Sequence, residues 1–240
     1  MVFLETVRTK IGLSVVIPCY NEQNRLQQTV IELVKFFFRN RETFDYEIIF
    51  VDDGSKDNTL SILIDFEKRF SHVKWRSYTE NKGKGYAVRQ GLLSAKYENV
   101  LILDADLSVK PDNLLRIMQM YSPFADTTYI VIGKRIQVLP QPLYRQVVGW
   151  GFRGLVYLFF QSPFQDSQCP FTFLHKVQKQ FASELKIDGF AYDVELIHKA
   201  QKSRIPIYET AVQYFNDAES KVTLKKAIKM FFELLRIRFL

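Results

Sequence analysis

The first 135 residues alternate short apolar runs with segments of helical periodicity, and this alternation constrains the fold more than any other feature. One helical segment places Leu26, Val30, Leu33 and Phe37 on a single face. Chains in which strands alternate with helices form a mostly parallel sheet that the helices cover. We therefore predict an α/β fold of this kind. The predicted strands are 13–18, 47–51, 73–78, 99–103 and 129–133.

Polar clusters stand at the ends of three of these strands. PCYNE (18–22) ends the first, VDDGS (51–55) the second, and Asp104-Ala105-Asp106 follows the fourth. In parallel sheets, ligands bind at the carboxyl ends of the strands. The positions of these clusters therefore predict a ligand site at that edge of the sheet.

The second half of the chain is less regular. Residues 143–160 are apolar nearly all round and are interrupted by Arg145 and Arg153, which predicts a helix that is either buried or laid against a membrane. No linker or internal repeat divides the sequence, so we expect one domain over 1–240. The elements predicted after residue 160 are a turn and strand at 166–173, a helix from about Asp193 and a strand at 205–215.

Composition excludes several classes of protein. Apolar residues make up 47% of the chain, which is enough for a full core and excludes a disordered or fibrous protein. Two cysteines and three scattered histidines argue against a disulfide scaffold and a zinc site. The longest stretch without Asp, Glu, Lys or Arg, 154–165, has 12 residues, against the roughly 20 that span a bilayer. We expect no membrane-spanning helix and no secretory signal.

Positive charge is concentrated in residues 220–240, which hold six Lys and Arg against Glu233, a net +5 of the total +7. Such an amphipathic cationic helix suits an anionic membrane surface, or it packs on the core with a solvated basic face. No nucleic-acid-binding motif accompanies the charge, so we expect no nucleic-acid partner. The apolar residues between the basic ones are Leu224, Ile228, Phe231, Leu235 and Phe239.

Asp104 and Asp106 lie on the turn that leaves an apolar strand, so their carboxylates can converge on one hard cation. Mg²⁺ and Mn²⁺ prefer oxygen ligands and often keep diphosphate oxygens in their coordination shell. On its own, a DxD pair also arises as an acidic loop before the helix that is predicted near Pro111. The other clusters favour the metal interpretation. They add a Tyr for stacking, acidic groups for a base and ribose, and the basic glycine-rich segment NKGKG (81–85) near phosphate.

Two common nucleotide-binding motifs are missing from the sequence. The Walker A pattern GxxxxGK[ST] does not occur, and no GxGxxG follows the first strand. An ATPase and a dinucleotide-dependent dehydrogenase are therefore poor interpretations of these clusters.

The sequence resembles family 2 glycosyltransferases with the GT-A fold, and in particular the polyprenyl-phosphate sugar transferases of the dolichyl-phosphate β-glucosyltransferase and dolichol-phosphate mannosyltransferase branch. The resemblance covers roughly residues 12–221. It implies a nucleotide-sugar-binding half over 12–135 and an acceptor and membrane-facing half over 136–240. The motifs that carry it are PCYNE, VDDGS, NKGKG, DADLS, GKR (133–135), DSQCPF (166–171), FAYDVEL (190–196) and ESK (219–221).

The resemblance also implies the roles of individual residues. Asp104 and Asp106 would hold the metal and the sugar diphosphate, Arg135 and Arg145 would hold the acceptor phosphate, and Asp193 would orient the acceptor or act as a base. The catalytic set would be Asp104, Asp106, Asp193 and Arg135. The nucleotide-sugar site would comprise Pro18, Tyr20, Asn21, Glu22, Val51, Asp52, Asp53, Lys84, Asp104, Ala105, Asp106 and Lys221.

Three positions depart from the pattern of the mannosyltransferase branch. Ser108 stands where that branch has a metal-binding Gln, Gly149 replaces a serine near the acceptor phosphate, and Pro170 replaces the glycine of QCGF. The first departure leaves the third protein ligand of the metal open.

The resemblance implies a peripheral enzyme on the cytoplasmic face of a membrane. It would transfer a hexose with inversion from a nucleotide sugar, UDP-glucose before GDP-mannose, to a polyprenyl phosphate, with Mg²⁺ or Mn²⁺. Three alternatives remain: a family 2 enzyme with a hydroxyl acceptor, a nucleotidyltransferase, and a non-catalytic membrane-binding module. Asp193 and Glu195 could also simply stabilise a helix N-terminus, and Arg145 and Arg153 could be solvated interruptions of a core helix.

Overall fold

The computed structural model describes residues 10–121, 124, 126–137, 143–164, 166–215 and 224–240, with the side chains of all of these except 137, 143–148 and 224–227. The strands are β1 (Ile11–Cys19), β2 (Phe44–Asp52), β3 (Val73–Ser77), β4 (Asn99–Leu103), β5 (Tyr129–Gln137), β6 (Phe171–His175) and β7 (Ile207–Tyr214). The helices are α1 (Leu26–Arg39), α2 (Thr59–Arg69), α3 (Lys84–Ser94), α4 (Asn113–Tyr121), α5 (Leu143–Phe160), α6 (Gln178–Glu184), α7 (Tyr192–Lys202) and α8 (Leu224–Arg238).

The strands form one sheet in the order β3-β2-β1-β4-β6-β5-β7. Only β6 runs antiparallel to its two neighbours, so the prediction of a mostly parallel α/β sheet is confirmed. The predicted bounds of β4 and α5 match the structure, whereas α6 was not predicted. That helix has seven residues, too few for helical periodicity to stand out in the sequence.

Both faces of the sheet are covered. In the central strand β1, Leu13, Val15 and Ile17 pack on one face and Val16 on the other, and all four are fully buried. A parallel strand buried on both faces reads as a continuous apolar run, which is why this strand could be predicted from the sequence. The predicted apolar face of α1, which carries Leu26, Val30, Leu33 and Phe37, is fully buried as well.

Helices α5 and α8 pack together and are only partly buried. In α5, Val156 and Phe160 face the core, whereas Trp150, Tyr157 and Leu158 are exposed. The sequence left burial or membrane contact open for this helix, and the structure shows one buried and one exposed apolar face. No helix among the described residues is long and apolar enough to cross a membrane.

Helix α8 has two apolar faces where the sequence analysis identified one. Met230, Leu234 and Ile237 form the face that packs on the core. Ile228 and Phe231, which belong to the predicted apolar stripe, are exposed, as is its last member, Phe239, just beyond the end of the helix. The predicted stripe is therefore not the core-facing one, because the tertiary packing selects the other side of the helix.

Candidate active site

The carboxyl ends of β1, β2 and β4 lie side by side because these strands are neighbours in the sheet. Strands β1 and β2 pair in parallel with Cys19 opposite Asp52, and the Asp53 amide donates to the Cys19 carbonyl at 2.8 Å. Strand β4 pairs with the other side of β1 and ends at Leu103, directly before the Asp104–Asp106 turn. The three polar clusters therefore meet at one edge, as the sequence predicted.

The PCYNE cluster forms the turn that leaves β1. Asn21 has a left-handed backbone with φ of 54°, a conformation that Asn adopts more readily than most residues. Its amide donates to Ser55 Oγ at 2.9 Å, and its Oδ1 accepts from the Lys56 amide at 2.8 Å. Glu22 pairs with Arg25 at 2.7 Å. The polar atoms of Asn21 therefore fasten the β1 turn to the β2 turn, which is a structural role that sequence reasoning did not assign to them.

The other residues that were predicted to bind the nucleotide differ in their solvent exposure. Tyr20 has 37% of its surface exposed, as a ring that stacks on a base requires, and Pro18 is partly buried. Val51 is fully buried and Ala105 nearly so. These last two residues therefore present almost no surface to a ligand.

Asp52 and Asp53 are both buried and hold the surrounding loops. The Asp52 carboxylate accepts from the Ser77 hydroxyl at 2.9 Å. The Asp53 carboxylate accepts from the amides of Lys82 and Gly83, at 2.8 and 2.9 Å. Burial raises the pKa of Asp53 above its usual range, although these amides oppose the shift. The VDDGS cluster thus fixes the position of the NKGKG segment.

The glycines of NKGKG are required by a neighbouring loop. Gly83 has φ of 112°, and a Cβ there would overlap the Asp188 carbonyl oxygen. A Cβ at Gly85 would overlap the Ile187 carbonyl oxygen. The sequence suggested that this segment lies near phosphate. The structure shows that glycine is required at both positions because residues 187–189 approach too closely for a side chain.

Lys84 is the cation at the centre of the site. Its Nζ lies 2.6 Å from Asp104 Oδ1, and 19% of its side chain is exposed. Burial by itself would lower the pKa of Lys84, but the carboxylates of Asp104, Asp193 and Asp106 outweigh burial and raise it. Lys84 is therefore held in its charged form among three acidic residues.

Burial strongly perturbs the Asp193 carboxylate. It lies in the first turn of α7 with 9% of its surface exposed. Burial raises the pKa of Asp193 to about 7, while Lys84 and a hydrogen bond to Tyr192 act in the opposite direction. A small cavity beside it is also lined by Asp166 and Cys169. Asp193 thus lies near Asp104 and Lys84 as well as in the first turn of α7.

Asp104 and Asp106 provide the two hard oxygen ligands that a divalent ion would need from the protein. Asp106 Oδ1 accepts from the Ser108 amide at 2.9 Å, which orients its carboxylate. Ser108 itself is buried. Within the described ranges, no group of three or more His, Cys, Asp or Glu side chains is arranged as a metal site. Two carboxylates that share the ion with substrate phosphates are nevertheless the usual arrangement for Mg²⁺, so the residues fit such an ion.

Arg135 on β5 forms a bidentate ion pair with Asp166. Its Nε and Nη2 lie 2.7 Å from the two carboxylate oxygens of Asp166, and its amide donates to the same carboxylate at 3.0 Å. Asp166 raises the pKa of Arg135 against the effect of burial. The Asp166 amide donates to Glu209 Oε1 at 3.1 Å. The GKR and DSQC motifs thus form one unit. Lys221 lies outside the described residues, and Arg145 lies in a part of α5 whose side chains are not described.

Two features of the site escaped sequence reasoning. Glu195, fully buried, accepts from the amides of Lys186 and Ile187 at 2.8 to 2.9 Å and so shapes the loop before α7. Asp166 entered the sequence analysis only as a member of the DSQCPF motif. Its ion pair with Arg135 connects residues 31 positions apart. No signal in a single sequence specifies such long-range pairs.

A mostly parallel sheet with an antiparallel strand beside β4, and an acidic DxD turn at the end of β4, define a glycosyltransferase with the GT-A fold. Solved structures agree with this fold. Mannosyl-3-phosphoglycerate synthase from Rubrobacter xylanophilus superimposes with a TM-score of 0.69 over 95% of this chain and 73% of its own, at 17% identity. Glucosyl-3-phosphoglycerate synthase from Mycobacterium tuberculosis, in complex with UDP, gives 0.67 over 96% and 81%, at 16% identity.

The sequence model described as Glycosyl transferase family 2 matches residues 14–182, and the chain belongs to this family. It is 34% identical over 225 residues to dolichyl-phosphate beta-glucosyltransferase from Drosophila melanogaster, covering 88% of this chain and 69% of that protein. Identity to the Homo sapiens protein of the same name is 33% over 224 residues, with the same coverage. The resemblance that the motifs indicated is confirmed, and the chain is a glycosyltransferase.

Proposed function

We propose that this enzyme transfers glucose from UDP-glucose to a polyprenyl phosphate of the dolichyl type, with inversion at the anomeric carbon. The geometry of the site and the identity to named relatives together support this proposal. The site places Lys84 between Asp104 and Asp193 at the end of β4, in a chain about one-third identical to enzymes named dolichyl-phosphate beta-glucosyltransferase. The 12–135 half would hold the donor and the 136–240 half the acceptor.

The donor's diphosphate is the leaving group, so negative charge grows on it as the bond to the sugar breaks. Lys84 is charged and lies 2.6 Å from Asp104, so it would stabilise that charge if the diphosphate binds at the Asp104–Asp106 turn. Asp104 and Asp106 would hold Mg²⁺ or Mn²⁺, which supplies Lewis-acid stabilisation of the same oxygens when it is bound. A glucosyl-3-phosphoglycerate synthase of the same fold has been solved with Mn²⁺ and UDP-glucose, which supports a divalent ion here.

The acceptor phosphate would supply the nucleophile. One of its oxygens attacks the anomeric carbon from the face opposite UDP; the new C–O bond forms as the bond to UDP breaks, and UDP departs with the electron pair. A phosphate monoester is largely ionised near neutral pH, since its second pKa is about 6, so no strong base is needed. Arg135, held rigidly by Asp166, and Arg145 would position this phosphate.

The exposed apolar faces of α5 and α8 fit a lipid acceptor. Trp150, Tyr157 and Leu158 on α5 and Ile228 and Phe232 on α8 are exposed on helices that pack together. Helix α8 also carries exposed basic residues. An apolar surface with interleaved cations binds anionic lipid surfaces. We infer that the enzyme docks peripherally on the cytoplasmic face of a membrane through these two helices.

The test is product formation from labelled UDP-glucose, with GDP-mannose as the competing donor, and a short polyprenyl phosphate in the presence of Mg²⁺, Mn²⁺ or EDTA. We expect metal-dependent label in the lipid fraction from UDP-glucose and none from the Asp106→Ala variant. Donor hydrolysis without a lipid product would contradict the acceptor assignment and the role of Arg135.

The alternative is a hydroxyl acceptor, and the raised pKa of Asp193 favours it enough to need its own test. A hydroxyl must lose its proton as it attacks, so a base is essential in that reaction. Asp193→Asn would then abolish transfer. With a phosphate acceptor the same variant should retain measurable transfer, because Asp193 only orients the reactants.

A further inference from the structure

The six residues from Lys186 to Ala191, here called the clamp loop, connect α6 to α7 and lie against the donor side of the site. The loop begins under the Glu195 carboxylate, which accepts from two of its amides. It ends at Ala191, directly before Tyr192 and Asp193. The position of Asp193 next to Lys84 therefore depends on where this loop lies.

The clamp loop also supports the start of α3. The amides of Gly85 and Tyr86 donate to the carbonyl oxygens of Gly189 and Asp188, both at 3.2 Å. Farther along α3, Arg89 pairs with Asp188 at 2.7 Å. Lys84 lies at the first turn of the same helix, so the loop holds the segments that carry both partners of the Lys84–Asp193 pair.

Helix α8 contacts the clamp loop through Glu233. Its Oε2 accepts from the Ala191 amide at 3.1 Å. The carboxylate lies directly over Gly189, where a Cβ would overlap it. Glu233 is the only acidic residue of α8. On the same helix Ile228 and Phe232 are exposed. One rigid helix thus presents an apolar outer face and, through one carboxylate, a contact to the loop that positions the site.

We propose that Glu233 is a positioning residue that couples the docking of α8 on a lipid surface to the geometry of the donor site. When lipid holds α8 in place, Glu233 fixes Ala191 and, through the clamp loop, Asp193 and the first turn of α3. This inference rests on the proposed function, because it assumes that α8 meets the membrane while Lys84 and Asp193 act on the donor.

The test uses a water-soluble short-chain prenyl phosphate, so that vesicles do not simply concentrate the acceptor. With wild-type enzyme, vesicles of phosphatidylcholine and phosphatidylserine should raise kcat. Glu233→Ala should bind the vesicles as well as wild type but lose this stimulation, with kcat about five- to tenfold lower and KM for UDP-glucose little changed. Glu233→Gln keeps an acceptor for the Ala191 amide and should restore most of the stimulation. Asp65→Ala, which removes an exposed carboxylate on α2, should behave as wild type.

Hydrogen exchange at the Ala191 amide gives a readout that does not depend on turnover. Without vesicles, protection should be lost in Glu233→Ala, kept in Glu233→Gln, and kept in Phe232→Ser, which alters the outer face of α8. Gly189→Ala, which displaces the carboxylate from the other side, should reproduce the loss. A Glu233→Ala enzyme that vesicles stimulate as strongly as wild type, or one that no longer binds vesicles, would overturn the proposal.

The two proposals fail in different ways. If wild-type enzyme makes no glucosyl lipid from UDP-glucose, the proposed function is wrong. In that case vesicles should still increase protection of the Ala191 amide in wild type and not in Glu233→Ala. If they leave protection unchanged in wild type, the coupling is wrong whatever reaction the enzyme catalyses.

Discussion

Replacing Asp193 by Asn should remove a pH-dependent loss of stability that the wild-type enzyme carries. The pKa of Asp193 is about 7 in the folded protein, against an ordinary value of 3.8, because the carboxylate is buried. A raised carboxyl pKa means that the folded state binds the proton more tightly than the unfolded chain does. The contribution of Asp193 to the free energy of unfolding therefore falls as the pH rises from about 4 to about 7. Above that range this contribution is constant.

The magnitude follows from the difference between the two pKa values. Three units correspond to about 4 kcal/mol in total, at about 1.4 kcal/mol per unit. Between about pH 5 and about pH 8, roughly 3 kcal/mol of this falls away in wild type. The Asn variant has no proton to lose at this position. Over this interval, the free energy of unfolding of the variant should therefore decrease by roughly 3 kcal/mol less than that of wild type.

The measurement is urea unfolding at both pH values, followed by the fluorescence of the two tryptophans, with EDTA present so that no metal alters the charge of the site. Asp65→Asn changes an exposed carboxylate and should keep the wild-type pH dependence. If Asp193→Asn and wild type show the same pH dependence, Asp193 is ionised in the folded enzyme without a penalty. The Lys84 ion pair would then outweigh burial, contrary to the reasoning above.

Three further predictions follow from single contacts. Gly85→Ala should destabilise the protein by about 2 kcal/mol or more, measured by urea unfolding, because its Cβ would overlap the backbone of Ile187; an unchanged stability would mean that the loop can retreat. Asp166→Ala leaves the partly buried Arg135 without its carboxylate and should lower the melting temperature, whereas the Asp166→Ala, Arg135→Met double variant should recover part of the loss. On the proposed function, Lys84→Met should lower kcat for glucosyl transfer by at least about a hundredfold with a smaller change in KM, since the charge of Lys84 would act mainly on the developing diphosphate; an equal loss in binding of UDP-glucose would instead assign it to ground-state binding.

Much of the framework could be predicted because it depends on local patterns. A strand buried on both faces is a continuous apolar run, and a helix on the sheet carries apolar residues at every third or fourth position. The prediction that the three polar clusters meet also holds. It needed only the rule that parallel strands bring their carboxyl ends to one edge, and β2, β1 and β4 are neighbours in the sheet.

What each cluster does within that edge could not be predicted. Asn21 and Asp52 hold turns together, the glycines of NKGKG make room for a loop more than a hundred residues later, and Arg135 is paired with Asp166. The same limit applies to α8, where periodicity identified an amphipathic helix but not which of its two apolar faces packs on the core.

The sequence by itself determined the class of fold, the edge of the sheet where the polar clusters meet and the family of the enzyme, because these depend on periodicity and on short motifs. The tertiary structure decided which charges face each other. Lys84 and Asp193 are 109 positions apart along the chain. They lie close together because residues 186–191, which lead into α7, are hydrogen-bonded to the start of α3. Burial raises the pKa of Asp193, and neighbouring carboxylates raise that of Lys84. Both effects depend on neighbours that are known only once the chain has folded.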